Sequence, residues 1–332
     1  MSVPLVVIGG SAGGLDACSR LVAALPRGLP AALAVVLHQA PGADDYITRR
    51  LQALTALPVS TAADGQALEP SRIYVAPSDR HLRFEGDRVR VAFGPRVNRV
   101  RPAIDVAMRS AAAERGARTV GIVLSGLLDD GAAGLDAIHR AGGTVLVQSP
   151  SDAEHPDMPR NALANVEADG VATADSLGRD LVHVVHALPD DGGTVPADIL
   201  TESRIDGLAT GDIDMTEDIG TQVPISCPDC AGPVWEIDES GPRRYRCHVG
   251  HAFSERSMLA SQAETIEESL WVALRTLEER VRMLERMARG SRTSLAASYQ
   301  SQADETRTHA LRIRDLLAER HPGGAVLALA EG

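Results

Sequence analysis

The amino-acid sequence predicts an α/β protein: a doubly wound, mostly parallel sheet of the Rossmann-like type, followed by a small ribbon module and an α-helical hairpin. Three observations lead to this prediction. Short, nearly continuous apolar runs alternate with helical stretches over residues 1–187, as in parallel strands that are buried on both faces. Three of the four cysteines cluster between residues 227 and 247. Beyond them, apolar residues recur at steps of three and four along two long segments.

The composition narrows the possible functions. The chain has 332 residues, of which 44% are hydrophobic, and this is enough for one medium domain and a smaller module. Its formal net charge of -12 argues against a nucleic-acid partner, because nucleic-acid binders usually carry a basic balance. No apolar run is long enough for membrane insertion, the first residues do not resemble a signal peptide, and the cysteines do not form a secreted disulfide framework. A cytoplasmic location is therefore expected.

Strands and helices alternate along the first 187 residues. The run "PLVVIGG" at 4–10 predicts a buried strand, a helix follows over 15–24, and "AALAVVLH" predicts a second strand that ends at His38. The Glu-Gly-Asp turn at 85–87, between "RIYVAP" and "RVRVAFG", predicts a hairpin beside the sheet. Helices are then predicted at 102–115 and 129–142, and strands at 119–126, 143–148 and 170–174.

The composition changes after residue 187. Residues 188–223 are acidic, rich in Gly, Asp and Thr and weakly apolar, which is typical of a linker. Residues 224–257 hold the three late cysteines and are expected to form a module of their own. Amphipathic helices are predicted from Glu255 to Ala288 and from Thr293 to Glu319. Residues 258–320 would then form an antiparallel hairpin or part of a homodimer interface, followed by a tail at 321–332.

The glycine-rich loop after the first strand is a candidate site. The glycines of "GGSAGG" at 9–14 fit the dinucleotide pattern Gly-x-Gly-x-x-Gly poorly, and the second strand ends in a histidine rather than an acid. A P-loop is excluded because the chain has no lysine. The frame Gly9-x-Ser11-x-Gly13 instead favours a turn that exposes a nucleophile, and the start of the following helix offers N–H groups to a developing negative charge.

Two further loops are predicted at the same edge of the sheet. Ligands collect at the carboxyl ends of parallel strands, so His38 is expected near Ser11. Asp129 and Asp130 follow the strand at 119–126 and reach the same edge. Such an aspartate could cap the next helix, or it could orient the imidazole of His38 and stabilise its protonated form. The order serine, histidine, aspartate along the chain differs from that of the α/β-hydrolases and argues against an ordinary lipase-type enzyme.

Six motifs then follow one another along residues 3–187: "VVIGGSAGG", "VVLHQAPG", "IYVAPSDRHL", "RVRPAIDVAMRSAA", "VLSGLLDDGAAGL" and "QSPSDAEHPDMPRNAL". Together they resemble the catalytic domain of the chemotaxis protein-glutamate methylesterases, the CheB family. The resemblance implies a carboxylic ester hydrolase that removes methyl groups from glutamate side-chain esters of chemoreceptors and releases methanol. Some members also deamidate receptor glutamines. The partner would be a methylated receptor or another signalling protein.

The resemblance also implies roles for individual residues. Ser11 would be the nucleophile, His38 the general base and Asp130 the orienting acid. Backbone N–H groups at Ala12, Gly13 and Leu127 would bind the oxyanion, and no cofactor would take part in catalysis.

The sequence departs from the family pattern at two points. Family members commonly have Thr-Gly-Met-Gly where this chain has Ser125-Gly126-Leu127-Leu128, and a leucine in place of the second small residue narrows the loop. Well-known members also carry an N-terminal receiver domain that is phosphorylated, whereas the catalytic motifs here begin near residue 3. Phosphorylation of such a domain is therefore not expected to control this chain.

The late cysteines have the spacing of a metal site. Cys227-x-x-Cys230 is followed by sixteen residues and by Cys247-x-x-x-His251, which predicts a tetrahedral, structural Zn2+ in a small zinc ribbon. His248 competes as a ligand, but it directly follows Cys247 and has poor reach to the same ion. A redox Cys-x-x-Cys is the alternative, although no thioredoxin-like strand and helix surround it. The pattern also resembles a C-terminal extension of some family members that lack a receiver domain.

Two other functions stay open. A signalling scaffold could keep the fold with little activity, and Leu128 and the missing receiver favour this alternative. Nucleotide binding at the glycine-rich loop is the least favoured, and it predicts thermal stabilisation by nucleotides.

Overall fold

The structure, a computed structural model, describes residues 2–39, 45–237 and 241–320. The chain divides into two compact units, residues 1–259 and residues 260–332. The first part of the first unit contains, in chain order, the elements β1 (Leu5–Gly10), α1 (Gly14–Ala23), β2 (Ala32–Leu37), α2 (Tyr46–Gln52), β3 (Val59–Thr61), β4 (Arg72–Val75), β5 (His81–Glu85), β6 (Arg88–Ala92), α3 (Ile104–Arg115), β7 (Thr119–Val123), α4 (Ala132–Arg140), β8 (Thr144–Gln148), α5 (Asp157–Asn165), β9 (Gly170–Ala172) and α6 (Ala174–Ala187).

Seven of these strands form one parallel sheet in the order β3-β4-β2-β1-β7-β8-β9. The predicted parallel α/β fold is thus confirmed. Strand β1 lies between β2 and β7, so the two halves of the sheet extend in opposite directions from it. This is the switch point at which the loops after neighbouring strands separate and leave a crevice.

The sheet is buried on both faces, which explains the continuous apolar strands. All six residues of β1 are buried, and they alternate between two cores because successive side chains of a strand point to opposite faces. Val7 packs in one core with Met108 of α3 and Leu135 of α4. Ile8 packs in the other core with Leu21 of α1. The predicted hairpin is also present, since β5 and β6 pair antiparallel around Gly86.

Residues 188–223 differ from the linker that their composition predicts. They contain α7 (Ala197–Gly207), α8 (Ile213–Glu217) and most of β10 (Gly220–Ser226). Ile199 and Ile205 are 2% exposed, and Ile199 belongs to the same core as Met108. The acidic character of the segment comes partly from Glu202 and Asp206, which are also buried, so these charges do not mark a solvated chain. The other predicted domain boundaries stay predictions.

The cysteine-bearing part of the first unit is a four-stranded antiparallel sheet in the order β10-β11-β12-β13, here called the ribbon. Its other strands are β11 (Pro233–Ile237), β12 (Arg244–Cys247) and β13 (Ala252–Ser254). Its small core contains Val234 and Phe253 beside the two buried cysteines.

A buried ion cluster joins the ribbon to the catalytic part of the first unit. Its members, the ion cluster hereafter, are Arg109 of α3, Glu202 and Asp206 of α7, and Arg244 and Arg246 of β12. Arg246 Nη2 donates to Asp206 Oδ1 at 2.7 Å and to Glu202 Oε1 at 3.1 Å. Burial alone would raise the pKa of Glu202 and of Asp206, but the neighbouring arginines outweigh it and hold both below their ordinary values.

The second unit is a helical hairpin. Helix α9 (Glu255–Gly290) begins in the first unit and continues into the second, and α10 (Thr293–Arg320) follows after a short turn. The two predicted amphipathic helices are confirmed within two residues at their ends. Leu274 packs with Ala310 and Leu317 between them. None of the helices in the described ranges is both long and apolar enough to cross a membrane. The predicted tail at 321–332 lies outside the described residues.

Candidate active site

Ser11 lies in a tight turn at the carboxyl end of β1. Its N–H donates to Ser125 O at 2.9 Å, and its carbonyl accepts from the N–H of Gly14, the first residue of α1, at 2.8 Å. Gly13 has a φ of 68°, and a Cβ there would lie 2.7 Å from Ser125 Oγ. Only glycine fits this position without strain, so the small residues of the motif are needed to bring the strand into the helix within four residues.

His38 follows β2 and lies beside Ser11, as the parallel sheet predicts. Its N–H donates to Gly10 O at 3.2 Å, which extends the pairing of β1 and β2 by one residue. Its Nδ1 lies 3.1 Å from Ser11 Oγ and its Nε2 lies 2.8 Å from Asp130 Oδ2. Since a carboxylate only accepts, Nε2 carries the proton in this pair, and Nδ1 is then free to accept the proton of the hydroxyl.

Asp130 is the acid of the two candidates that reaches His38. It is 3% exposed and lies at the N-terminus of α3, where it accepts the N–H of Ile104 at 2.7 Å and the N–H of Asp105 at 3.2 Å. Asn98 Nδ2 donates to Asp130 Oδ1 at 3.0 Å. Burial would raise the pKa of Asp130, but hydrogen bonds from His38, Ile104 and Asn98 hold it below its ordinary value, so the group is a carboxylate at neutral pH.

Asp129 points away from the imidazole. It is 9% exposed, and Ser254 Oγ, at the end of β13, donates to its Oδ1 at 2.8 Å. Burial raises its pKa. The alternative that the sequence left open between the two aspartates is thus decided by geometry in favour of Asp130.

A second buried carboxylate, Asp105, stands behind Asp130. Its Oδ1 accepts the N–H of Gly131 at 2.9 Å and of Gly134 at 2.7 Å, at the start of α4. Its Oδ2 accepts from Asn98 Nδ2 at 2.7 Å. Burial and the neighbouring Asp130 raise the pKa of Asp105 to about 7. Asn98 therefore donates to two carboxylates that would otherwise repel each other.

The loop after β7 closes the site on its other side. Ser125 Oγ donates to Ala12 O at 2.8 Å and accepts from the N–H of His155 at 2.9 Å. A Cβ at Gly126 would lie 3.0 Å from Ser11 Cβ and 1.8 Å from Met158 Sδ, so only glycine permits this approach. Of the predicted oxyanion residues, Ala12 lies in the turn after β1 and Leu127 in the loop after β7. Neither of their N–H groups donates to another described residue.

Leu128 adopts a conformation that suits glycine. Its φ is 61°, in the left-handed region that costs L-residues free energy, and its side chain is 40% exposed. Asn161 Nδ2 donates to its carbonyl at 2.5 Å, which helps to hold the loop in place. The expected narrowing of the loop by this leucine is accompanied by backbone strain that the sequence alone did not predict.

Asn98, Asp105 and Ser125 are parts of the site that the sequence does not predict. Asp105 stands within the helix predicted at 102–115 and Asn98 shortly before it, so neither has a position at the end of a strand that could have pointed to it. A buried serine beside a glycine, as at Ser125, carries no distinguishing signal either.

The three late cysteines and one histidine come together as a possible metal site in the ribbon. The ligand atoms of Cys227, Cys230, Cys247 and His251 all lie within 4.8 Å of one another. Cys230 Sγ lies 3.7 Å from Cys247 Sγ, and His251 Nδ1 lies 3.5 Å from Cys247 Sγ and 3.8 Å from Cys227 Sγ. Bonds of about 2.3 Å to a tetrahedral zinc would place sulfurs about 3.8 Å apart, whereas a disulfide needs about 2.0 Å. His251, and not the competing His248, belongs to this group.

The chemistry of the group also fits a cation. Hydrogen bonds from Cys227 and His251 outweigh burial and lower the pKa of the Cys247 thiol, which favours the thiolate that binds metal. His251 Nε2 lies 3.8 Å from Asp229 Oδ2, on the side of the ring away from the sulfurs. A carboxylate in that position orients a ligating imidazole.

The sheet topology and the site together define a class of protein. A hydroxyl, an imidazole and a carboxylate from the loops after β1, β2 and β7 form a hydrogen-bonded chain at the carboxyl edge of a parallel sheet. This places the chain among α/β proteins with a serine–histidine–aspartate arrangement of non-lipase topology.

Comparison with known proteins then gives the family. The family model described as CheB methylesterase matches residues 6–181, and the chain belongs to this family. A protein of Yersinia pestis named protein-glutamate methylesterase/protein-glutamine glutaminase is 40% identical over 167 residues, which cover 49% of this chain and 48% of that protein. A protein of Myxococcus xanthus with the same name and the number 5 is 42% identical over 173 residues, 51% of this chain and 49% of its own length. The chain thus spans about half the length of the curated relatives it matches.

A solved structure shares the fold. The crystal structure of the Thermotoga maritima CheB methylesterase catalytic domain superposes with a TM-score of 0.54 and 31% sequence identity, covering 56% of this chain and 100% of that one.

Proposed function

We propose that this protein is a serine hydrolase that removes methyl esters from glutamate side chains of a signalling protein and releases methanol. The observation that carries the proposal is the chain of two hydrogen bonds from Ser11 through His38 to Asp130, with distances of 3.1 and 2.8 Å. Family membership and the names of the relatives support the substrate class. Glutamine deamidation, which the names of those relatives also include, is a second reaction open to the same site.

The geometry supports a two-step mechanism. Ser11 Oγ attacks the ester carbonyl carbon while its proton passes to His38 Nδ1, and the carboxylate of Asp130 stabilises the imidazolium that forms. The N–H groups of Ala12, Gly13 and Leu127 are the proposed donors to the oxyanion. Collapse of the tetrahedral intermediate breaks the bond to the methoxy oxygen, which takes the proton from His38 and leaves as methanol. Water then attacks the acyl-enzyme with His38 as base, and the glutamate carboxylate is released.

The proposed metal is a structural Zn2+ held by Cys227, Cys230, Cys247 and His251. Their spacing and the small size of the ribbon core support this assignment. Such an ion would cross-link the strands of the ribbon, and four protein ligands leave no open position for substrate. None of the catalytic steps involves it.

The location and partners follow from the same proposal. The substrate would be a methylated receptor or another signalling protein, met in the cytoplasm. A homodimer through the C-terminal helices stays a prediction from their amphipathic pattern, and the exposed apolar side chains of Ile266 and Trp271 are consistent with it.

Two measurements test the function. The purified chain is incubated with methylated receptor helices and the release of methanol is measured, while a fluorophosphonate probe reports the reactive serine. We expect both signals in the wild type, no signal in Ser11→Ala, and a loss of turnover of about 10⁴-fold in Asp130→Asn. Ser294→Ala, the same change at an exposed serine of α10, is the matched control and should behave as wild type.

The outcomes separate the alternatives. Labelling that depends on Ser11 without methanol release would keep the hydrolase and reject the methyl-ester substrate. Absence of both signals would reject the enzyme in favour of the scaffold that Leu128 favours.

A further inference from the structure

We infer that Asn98 is a positioning residue for Asp130 and that the ribbon, through Ser254 and with Ser257 at the start of α9, sets the orientation of the Asn98 side chain. The metal-binding module is then a structural part of the hydrolase site. This inference rests on the proposed function and extends it, because it assigns the ribbon a role that the family resemblance left unclear.

The inner half of this arrangement is the contact between Asn98 and the acids. Asn98 is 6% exposed, and its Nδ2 donates to Asp130 Oδ1 at 3.0 Å and to Asp105 Oδ2 at 2.7 Å. Both N–H bonds of the amide are thus used on carboxylates. These hydrogen bonds hold the Asp130 carboxylate in the orientation in which its Oδ2 accepts the His38 proton. They also offset the repulsion between Asp105 and Asp130.

The outer half is the contact between Asn98 and the ribbon. The Asn98 carbonyl oxygen Oδ1 accepts the N–H of Ser254 at 2.9 Å and the hydroxyl of Ser257 at 3.2 Å. An amide can be turned by half a rotation with little change of shape, and only its hydrogen bonds decide which way it faces. The turned amide would place its NH2 against the Ser254 N–H, which can only donate, and its oxygen against two carboxylates. The ribbon therefore fixes the orientation in which Asn98 serves Asp130.

Main-chain pairing sets the register of this contact. Strand β13 runs beside residues 96–98: the Asn98 N–H donates to Ala252 O at 2.8 Å, and the Ala252 N–H donates to Arg96 O at 3.3 Å. Ser254 also donates its hydroxyl to Asp129, the residue before Asp130, at 2.8 Å. Strand β13 thus contacts both the segment that carries Asn98 and the loop that carries Asp129 and Asp130, here called the acid loop.

The same strand is tied to the candidate metal site. His251 directly precedes β13, so an ion that holds His251 also fixes where β13 begins. On the neighbouring strand β12, Arg244 and Arg246 enter the ion cluster. The edge that meets Asn98 is therefore held from both sides.

The inner contact is tested with Asn98→Gly and Asn98→Ala. Asn98 has a φ of 51°, which glycine adopts freely and alanine does not, so a defect common to both variants reports the lost amide and not backbone strain. Hydrolysis of p-nitrophenyl acetate should show a kcat about tenfold lower, because charge-assisted hydrogen bonds contribute on this scale, while KM stays within about twofold.

A pH profile adds a readout that a merely structural role would not move. Removing a donor from a carboxylate raises its pKa, so Asp130 would take up a proton at a higher pH. The titratable and charged groups that face the two acids are His38, His81 of β5, Arg109 of α3 and Asp129. In both Asn98 variants the acidic limb of the kcat/KM profile should move to higher pH by about half a unit or more.

The outer contact is tested with Ser257→Ala, which removes the hydroxyl that donates to Asn98 Oδ1, and with Ser254→Pro, which removes the N–H that donates to the same oxygen. Ser254→Ala keeps that N–H and removes only the hydroxyl that donates to Asp129. Ser257→Ala and Ser254→Pro should each lower kcat about threefold and shift the acidic limb in the same direction. Ser254→Thr keeps both the N–H and the hydroxyl and should retain both wild-type values. Ser226→Ala, the same change at an exposed serine of β10, is the matched control and should equal wild type, with metal content measured for every variant.

A direct probe is independent of turnover: the low-field NMR signal of the His38 Nε2 proton that Asp130 accepts. We expect this signal to weaken or shift in the Asn98 variants and in Ser254→Pro, and to stay in place in Ser226→Ala. Wild-type kinetics and an unchanged signal in Asn98→Gly would overturn the whole inference. A defect in Asn98→Gly with wild-type behaviour of Ser254→Pro and Ser257→Ala would overturn the role of the ribbon. A wild type without esterase activity would refute the proposed function alone, and the NMR signal would still decide this inference.

Discussion

The ion cluster makes an asymmetric prediction about stability. It contains three arginines, Arg109, Arg244 and Arg246, but only two carboxylates, Glu202 and Asp206, and all five are at most 9% exposed. The Nε–H groups of all three arginines are buried without an acceptor among the described residues. Within these five side chains positive charge is in excess, so we expect the removal of a carboxylate to cost more than the removal of an arginine.

The magnitudes follow from the contacts. Asp206→Asn removes the negative charge that faces Arg109 Nη1 and Arg246 Nη2, and one carboxylate is left among the three arginines of the cluster. Breaking a buried ion pair on one side typically costs about 3–5 kcal/mol. Arg246→Met leaves two arginines with two carboxylates and fills much of the volume, so we expect a loss of only about 1–2 kcal/mol.

Urea unfolding followed by tryptophan fluorescence measures both changes. Trp235 is 3% exposed on β11, so its emission reports unfolding of the ribbon, whereas Trp271 on α9 is 51% exposed and changes less. Asp206→Asn is nearly isosteric, so cavity formation contributes little to its cost. Equal losses for the two variants, or a larger loss for Arg246→Met, would refute the view that the cluster has an excess of positive charge.

Three further predictions concern the site and the ribbon. Leu128→Gly relieves a left-handed φ and should raise the free energy of unfolding by up to about 1 kcal/mol in a urea titration; an unchanged or lower value would contradict the strain. Asp105 has a pKa raised to about 7, so from about pH 4 to 7 the native state holds a proton that the unfolded chain has lost. The contribution of Asp105 to the free energy of unfolding is greatest at low pH and falls as pH rises through that window, by at most about 1.4 kcal/mol per pH unit. The free energy of unfolding of the wild type should therefore fall with pH relative to that of Asp105→Asn. Finally, a chelator should make the three ribbon cysteines reactive to a thiol reagent, while Cys18, which is fully buried with a pKa raised to about 12, stays unreactive in the folded chain.

The three residues of the serine–histidine–aspartate chain could be placed from the sequence because of one regularity. Parallel strands direct their carboxyl ends to one edge, so Ser11, His38 and Asp130 could be assigned to the same crevice without knowing any distance. The choice between Asp129 and Asp130 needed either the family resemblance or coordinates, because neighbouring residues on a loop share an edge but not a direction. That Cys227, Cys230, Cys247 and His251 would lie close together was predictable for a similar reason, since the spacing of Cys-x-x-Cys limits how its sulfurs can be arranged.

The contacts behind the site could not be predicted in this way. Asn98 meets Ser254 across 156 residues and Arg246 meets Asp206 across 40, and neither pair has a periodic pattern that links its partners. The composition of residues 188–223 predicts a linker, because composition counts charges but does not show which of them are neutralised. Glu202 and Asp206 are buried only because arginines from α3 and β12 arrive beside them, and this is a property of the tertiary structure.

The way in which the ribbon is attached suits the role proposed for it. An apolar interface is roughly proportional in strength to the area buried and tolerates small displacements, because dispersion contacts have no fixed direction. Paired guanidinium and carboxylate groups have directional geometry, and the strand pairing at Ala252 permits a single register without a shift of every bond. A displacement of β13 by one residue would remove the Ser254 N–H from Asn98 and leave a buried amide oxygen with one donor fewer. Attachment by ion pairs and strand pairing therefore provides the positional accuracy that a hydrogen bond to the acid loop requires, and apolar contact alone would not.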